Sequence, residues 1–417
     1  MADHGWRLAI ALAGNSACAL LGSLLLLRRQ SMLGDAISHA VLPSVVLAYL
    51  LMGRISLPAT LALAVGFGIL TAWLSEALRS LGGVAEDSAL GIVFTALFAL
   101  GVLLIHRHAE GVDLDVGCVL QGNLELSLWH ELEFDFLGFR GRLPRALPGL
   151  VATLAVSVAA LALLWKEWRL LAFDPAFLAA SGFRAGPLAY AQSALVAATV
   201  VVALESVGSI LVVAMLVAPA AAARLLTDRY GAMFAAALGV SAVATGLGYA
   251  AAQRFDVATS GAMAVAGGGL FLLAALFGPE RGLIPRLLRR RRFARRIAAD
   301  DLLAKLFRAE DAGAPLQSLA GPERRTGRRL VRKGQLERLD AAWRLTDAGR
   351  RAGRDLVRTH RVWERYLHEN FNLPPDHLHG PADRIEHFLD AETRRKIAAE
   401  LRDAETDPHG RPIPGER

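Results

Sequence analysis

From Gly5 to Phe277 the chain repeats one pattern, long runs of Ala, Leu, Val and Gly separated by short polar stretches. A helix needs about 20 mostly apolar residues to cross a bilayer. Windows at 8–27, 36–52, 57–78, 87–105, 146–165, 190–204, 206–223, 231–252 and 259–277 approach that length. The second is short and the sixth and seventh nearly touch, so the pattern predicts eight or nine transmembrane helices. After Gly278 it changes to polar segments rich in Arg, Glu and Asp. The predicted fold class is an all-α polytopic membrane bundle followed by a mostly α soluble domain with a degenerate winged-helix element.

These changes divide the chain into a spanning unit at 1–280, a basic linker at 281–297 and a soluble unit at 298–417. Within the last, 300–350 is the winged stretch and 351–417 the remainder. Helix is predicted near Ala299–Ala309, a ribbon near Leu336–Leu345, and helices over Thr346–Asn370, Ala382–Leu389 and Glu392–Asp403. Between the first helix and the ribbon, "GPERRTGRRLVRKG" sets Gly321, Pro322 and Gly327 close together. That is poor material for a pair of well-formed helices.

Composition supports the division. Hydrophobic residues make up 54% of the 417 and mean hydropathy is +0.37. The net charge of +7 reports mainly on the block "RLLRRRRFARR" and the tail behind it. Lys and Arg concentrate on the cytoplasmic side of short loops. The block therefore predicts a cytoplasmic C-terminus, with Arg224–Arg229 and Lys166–Arg184 on the same side. The 106–145 loop then lies outside, against the tendency of Arg140, Arg142 and Arg145; a re-entrant or broken element around "VLQGNLELSLW" would reconcile them. Two cysteines, Cys18 and Cys118, exclude a disulfide framework or a thiolate cluster. The first apolar run follows little charge and no convincing cleavage site, so it reads as a span and not as a removed signal peptide. No "GxxxxGK[ST]" occurs, so the chain is expected to bind no nucleotide by a P-loop and to draw its energy from another subunit. The Gly- and Ala-dense later spans, such as "SGAMAVAGGG", permit close helix approach.

Candidate chemistry in the spans begins with "GDAISHAVLP". Asp35 and His39, four apart, share one helical face and can present oxygen and nitrogen to one ion or to each other. Ionisable groups at membrane depth usually face a polar path; spacing alone equally allows a pair at the interface that caps a short span. Glu205 belongs either to a pathway or to a turn near the surface. Pro219 interrupts the hydrogen-bond ladder of its span. In "AFDPAFLAASGF", Asp174 suits an N-cap, Pro175 the first helical position and Gly182 the end of a short helix.

"SMLGDAISHAVLPSVVLAYLL", "WKEWRLLAFDPAFLAASGF" and "LESVGSILVVAMLVAPAAAARLL" together resemble the metal-ion ABC transporter permeases that import zinc, manganese or iron. The resemblance implies a multi-pass subunit of the bacterial plasma membrane. It implies a second permease chain, identical or related, an extracytoplasmic metal-binding protein, and ATPase subunits that push on the helix near Asp174, Pro175 and Gly182. Asp35, His39 and Glu205 are the transport-pathway candidates.

In the tail, His360 and Glu364 sit four apart on one predicted helix, and Asp383, Glu386 and His387 share a face of another, with His379 between them. Imidazole and carboxylate donors suit manganese, iron or zinc better than calcium; a solvated, charge-paired helix surface has the same look. The stretch from Leu336 to Asp390 resembles the diphtheria-toxin-repressor-like, metal-dependent regulators. That resemblance implies a dimerising domain with Asp383, Glu386 and His387 at a primary metal site and His360, Glu364 and His379 at an ancillary one, with His360 serving either site in different members. Asp301 stands where a further ligand is expected, while Ala304 replaces a carboxylate that some members have. Arg324, Arg325, Arg328 and Arg329 could meet phosphate, yet nothing suggests base readout, so nucleic acid is not an expected partner. The reading is an importer permease with divalent transition metal as substrate and as regulator; its rival is a membrane-anchored, metal-dependent transcription regulator.

Overall fold

The computed structural model describes residues 2–53, 57–108, 131–136, 139–313, 319, 321–339, 342–371, 374, 391–401 and 406–415. The chain forms two compact units, Met1–Pro285 and Arg286–Arg417. Among the described residues, nine helices are long and apolar enough to span a membrane.

In the first unit these are α1 (Ala2–Leu27), α2 (Leu33–Met52), α3 (Leu57–Gly82), α4 (Glu86–His108), α5 (Ala146–Leu163), α8 (Ala185–Val207), α9 (Ser209–Leu226), α10 (Tyr230–Phe255) and α11 (Thr259–Phe277). Between α5 and α8 lie two shorter helices, α6 (Trp165–Phe173) and α7 (Pro175–Ala180). α2 starts earlier than hydropathy suggests because its first turn carries Gly34 and Asp35. α8 and α9 nearly touch as expected, parted only by Gly208 at φ 82°, ψ 160°.

Small residues set the packing. α9 lies against α1, α10 and α11, while α2 lies against α3 and α4. At Gly22 of α1, an added Cβ would stand 1.8 Å from the Leu216 carbonyl oxygen of α9. At Gly34 of α2 it would stand 2.7 Å from the Leu216 Cδ1. Gly248 of α10 meets the Met263 backbone of α11 in the same manner. A polar link crosses the bundle where fully buried Asn15 Nδ2 donates to Thr245 Oγ1 at 2.8 Å. Pro219, expected to interrupt its span, is accommodated within a continuous α9, and Pro43 likewise within α2.

A two-stranded hairpin between α4 and α5 has no counterpart in the expected elements. Its strands β1 (Glu131–Phe136) and β2 (Phe139–Pro144) pair antiparallel from Glu131↔Pro144 to Phe136↔Phe139. The signal was the strict alternation of "ELEFDF", a period of two. The proposed re-entrant element at 119–129 lies outside the described residues.

The second unit contains most of α12 (Leu283–Asp311), then α13 (Gly321–Arg332), the ribbon β3 (Leu336–Leu339) and β4 (Ala342–Leu345), α14 (Asp347–Phe371) and α15 (Ala391–Glu400). The stretch expected to be a basic linker is helical, forming the first half of α12. The stretch expected to be too rich in Gly and Pro is also helical. Gly321 and Pro322 open α13, positions where a helix tolerates them. Gly327 is required for packing, since a Cβ there would stand 2.8 Å from Leu319 Cδ1 and 3.0 Å from Trp343 Cζ3. Leu302, Leu303, Leu306, Leu330, Leu336, Trp343 and Leu345 complete this core. Gly353 of α14 approaches the Leu303 carbonyl of α12, so tertiary contact overrides its poor helix propensity. The expected helix at Ala382–Leu389 lies outside the described residues.

Overpacking a close-packed contact costs about 1–3 kcal/mol, and more when backbone must move. Gly22→Ala is therefore expected to lower the thermal midpoint of the detergent-solubilised chain and to yield aggregated species on size exclusion. Gly66→Ala, where a Cβ meets nothing within 4 Å, serves as the control and should leave both unchanged.

Candidate functional site

The first turns of α2 are buried at Leu33, Gly34, Ala36, Ile37, Ser38 and Ala40. Asp35 and His39 interrupt this pattern as a stripe of half-buried side chains, each 33% exposed. Their Oδ1 and Nε2 atoms are 3.6 Å apart, too far for a good hydrogen bond. Two donors on a tetrahedral ion, each about 2.1 Å from it, would be about 3.4 Å apart. At 3.6 Å the two are within ion-pair range of each other, and two ligands of one ion could stand at the same separation.

α4 fixes the imidazole. His39 stacks on Phe94, centroids 5.5 Å apart with a 26° interplanar angle, and meets Phe98 edge-on at 5.6 Å and 87°. One turn further along the same stripe, a Cβ on Gly101 would stand 2.9 Å from Pro43 Cδ. Pro43 lacks an N–H, so the His39 carbonyl has no helical donor four residues on. Sequence reasoning passed over Pro43, Phe94 and Phe98. The proline's spacing from His39 was a usable signal, whereas the phenylalanines lie in an apolar run that looks the same whether or not it holds a histidine.

Gly34 rests on the side chain of Leu216, near the midpoint of α9. Asp35 and His39 follow it in the first two turns of α2, which begins at Leu33. Glu205 is exposed near the end of α8, between buried Leu204 and Ser206. Among the described residues no hydrogen bond or ion pair joins it to Asp35 or His39.

The short helix forms as its residues dictate. Asp174 Oδ1 accepts from the Phe177 N–H at 2.9 Å, and Pro175 occupies the first helical position. Gly182, at φ 87°, closes the other end. The Gly182 N–H donates to the Ala179 carbonyl at 3.1 Å and the Phe183 N–H to that of Leu178 at 3.3 Å, the pair of bonds of a Schellman stop. Leu178 is fully buried in the main core and anchors α7. Phe173, Phe177 and Phe183 are each more than half exposed around it. The result is a short capped helix, anchored by Leu178, with three aromatic rings turned outward.

In the second unit, α14 brings together His360 and Glu364, with Nε2 and Oε1 3.1 Å apart and side chains 5% and 1% exposed. Beside them Arg361 donates to the Pro412 carbonyl and Arg358 to that of Pro414 at 2.8 Å. Residues 406–415 are thereby held on α14. Asp407, 2% exposed, accepts from the His409 and Arg411 N–H groups within that segment. Asp301 is exposed on α12. His379, Asp383, Glu386 and His387 lie outside the described residues, and among the described residues no group of three or more metal-type ligands converges. His360 and Glu364 are a nitrogen and an oxygen donor at close range in a dry setting, which fits a first-row divalent ion.

Residues 5–131 and 145–278 match the model of the ABC 3 transport family. The chain belongs to that family. Residues 346–415 match the family described as the iron dependent repressor, metal binding and dimerisation domain, so the match begins after the β3–β4 ribbon and includes every proposed tail ligand except Asp301. Among relatives, the manganese transport system membrane protein MntD of Bacillus subtilis is 36% identical over 289 residues, 69% of this chain and 97% of the relative. The zinc transport system membrane protein TroD of Treponema pallidum is 38% identical, covering 67% of this chain and 75% of its own. The manganese transport system membrane protein MntC of Bacillus subtilis is 30% identical across 95% of this chain and 91% of its own, spanning both units. The solved structure of PsaBC from Streptococcus pneumoniae in complex with Fab is 26% identical, with a TM-score of 0.57 over 69% of this chain and 94% of its own.

Removing an N-cap costs about 1 kcal/mol, which is large for a helix of six residues. Asp174→Ala is expected to raise amide hydrogen exchange over residues 175–181 about fivefold, with the flanking α6 and α8 unchanged. Unaltered exchange there would show that Leu178 alone holds α7.

Proposed function

We propose that this chain is the membrane-spanning subunit of an ATP-driven importer for a divalent transition metal ion, manganese, zinc or iron, and that Asp35 and His39 hand the ion along the pathway. The observation that carries this reading is the half-exposed acid and imidazole on one stripe of a membrane-spanning helix, 3.6 Å apart. An ionised side chain facing acyl chains at the centre of a helix costs about 3 kcal/mol. The exposed stripe therefore faces another protein surface or a water-filled path, as it would between two permease chains. Two donors hold an ion loosely, and a transported ion must leave as readily as it enters.

The remaining parts follow from the same reading. Glu205, exposed near the end of α8, belongs to the same pathway at another level. α7 is the seat for the ATPase subunit: Asp174, Pro175 and Gly182 fix its shape, and the outward Phe173, Phe177 and Phe183 supply apolar contact. ATP hydrolysis resides on that separate subunit, and an extracytoplasmic binding protein delivers the ion. The chain lies in the bacterial plasma membrane with residues 298–417 in the cytoplasm. There His360 and Glu364, with His379, Asp383, Glu386, His387 and Asp301, hold a regulatory metal ion that would pin the elements bearing its ligands. The likeness to MntC across nearly the whole chain supports a transporter with an attached regulatory unit over a membrane-anchored transcription regulator.

Asp35→Ala and His39→Ala are each expected to abolish uptake of labelled manganese and zinc in cells while leaving the chain at normal abundance in the membrane. Normal uptake by both variants would reject the assignment. For the regulatory unit, titration of the full chain with Mn²⁺ in an Asp35→Ala, His39→Ala background should show a site that Glu364→Gln weakens at least about tenfold. Equal affinity in the two proteins would remove Glu364 from it.

A further inference from the structure

The second unit contains a cleft of about 540 Å³ to which the metal chemistry assigns no role. Its walls are single faces of three helices. Arg292, Arg295 and Arg296 come from α12 at the spacing of one helical stripe, Thr326 and Arg329 come from α13, and Lys333 follows at its end. The floor is apolar: Leu303 and Leu330 belong to the core of the unit, and Ala299, Ala352 and Leu356 pack upon it. Against five cations stand two carboxylates, Asp300, which lies 3.8 Å from Arg296, and Asp355.

Neither sidedness nor helix ends account for this arrangement. Positive charge after the last span would satisfy membrane orientation at any position around the helix, yet here three arginines converge on a concavity. Arg292, Arg295 and Arg296 lie in the middle of the 29-residue α12, far from a C-terminus where the helix dipole favours cations. Like charges gathered around a pocket repel one another, and a multivalent anion relieves that repulsion. Guanidinium groups bind phosphate oxygens in a planar fork. The volume falls within the range of small-molecule sites, about 300–1,000 Å³, and far exceeds the need of inorganic phosphate.

We propose that this cleft binds a phosphate ester carried on a partly apolar body, the phosphate on the α12 and α13 cations and the body over Leu303, Ala352 and Leu356. Two sources share that chemistry. A free phosphorylated metabolite of nucleotide type reaches the cleft from solution, binding without the P-loop needed for hydrolysis. An anionic lipid headgroup is also within reach, because α12 opens at Leu283 soon after the last apolar helix ends at Phe277. A nucleic-acid duplex fits less well, since base readout needs a protruding helix or ribbon and this surface is concave.

The test uses the full chain, free of ATPase subunits, in nanodiscs of phosphatidylcholine. Radiolabelled ATP in equilibrium dialysis probes the free source. Nanodiscs containing phosphatidylglycerol, scored by the rise in thermal midpoint over phosphatidylcholine alone, probe the lipid source. The cleft variant is Arg292→Ser/Arg296→Ser/Arg329→Ser. The control is Arg324→Ser/Arg325→Ser/Arg328→Ser, which removes equal charge from exposed positions of α13 outside the cleft. Saturable ATP binding that the cleft variant weakens at least about tenfold, with the control unchanged, assigns a free ligand. A phosphatidylglycerol-dependent rise of the midpoint, lost in the cleft variant and kept in the control, assigns the headgroup. The proposal falls if neither probe responds, if cleft variant and control lose the response equally, or if unlabelled duplex DNA displaces ATP more strongly than unlabelled ATP does.

Discussion

The membrane unit is organised about the backbone of α9 at Leu216. Its carbonyl oxygen faces Gly22 of α1 at a distance that no Cβ could share, and its side chain lies closely against Gly34 of α2. Lipid supplies no hydrophobic drive between helices, so contact of this kind is what holds them together. The contact also has a chemical consequence. By seating Gly34 on Leu216, it sets the position of Asp35, the next residue, and of His39 one turn later against the core of the bundle.

From that anchor the site is assembled by a second helix. α4 presents Phe94, Phe98 and Gly101 to α2 along one stripe, two rings against the imidazole and a bare backbone against Pro43. The rings orient His39 without hydrogen-bonding it, which leaves both ring nitrogens free of α4. Pro43, four residues beyond His39, removes a donor from the helical ladder, and its ring packs on Gly101.

The spans, the α7 helix and the ribbon were legible because each depends on local rules: run length, a cap and a stop, or alternation. Asp174, Pro175 and Gly182 adopt the capped conformation that their residue types favour. What was not legible depended on contacts distant in sequence. Gly327 looked like a flaw in a helix, and its purpose becomes visible only when Trp343 and Leu319 are set against it. The arginines after the last span looked like a linker because charge suggests exposure; helix continuity is decided by Leu302, Leu303 and Leu306 further along α12, which are buried in the second core. Asp35 and His39 were legible as a pair from their spacing, whereas the rings of Phe94 and Phe98 against His39 were not.

The chain therefore pairs two kinds of donor set built from the same residue types and the same spacing of four. Asp35 and His39 are one-third exposed and 3.6 Å apart; Glu364 and His360 are at most 5% exposed and 3.1 Å apart. Burial separates their uses. On the proposed transport reading, a half-open pair competes with water for an ion and so gives it up readily. A buried pair has little water to fall back on, so loss of an ion leaves a dry carboxylate beside an imidazole, and the surrounding structure bears that cost. Around Glu364 that structure includes Arg358 and Arg361, which tie residues 406–415 to the same helix. A change in ion occupancy at His360 and Glu364 would thus be felt by the C-terminal segment, while a change at Asp35 and His39 would be felt only by the passing ion.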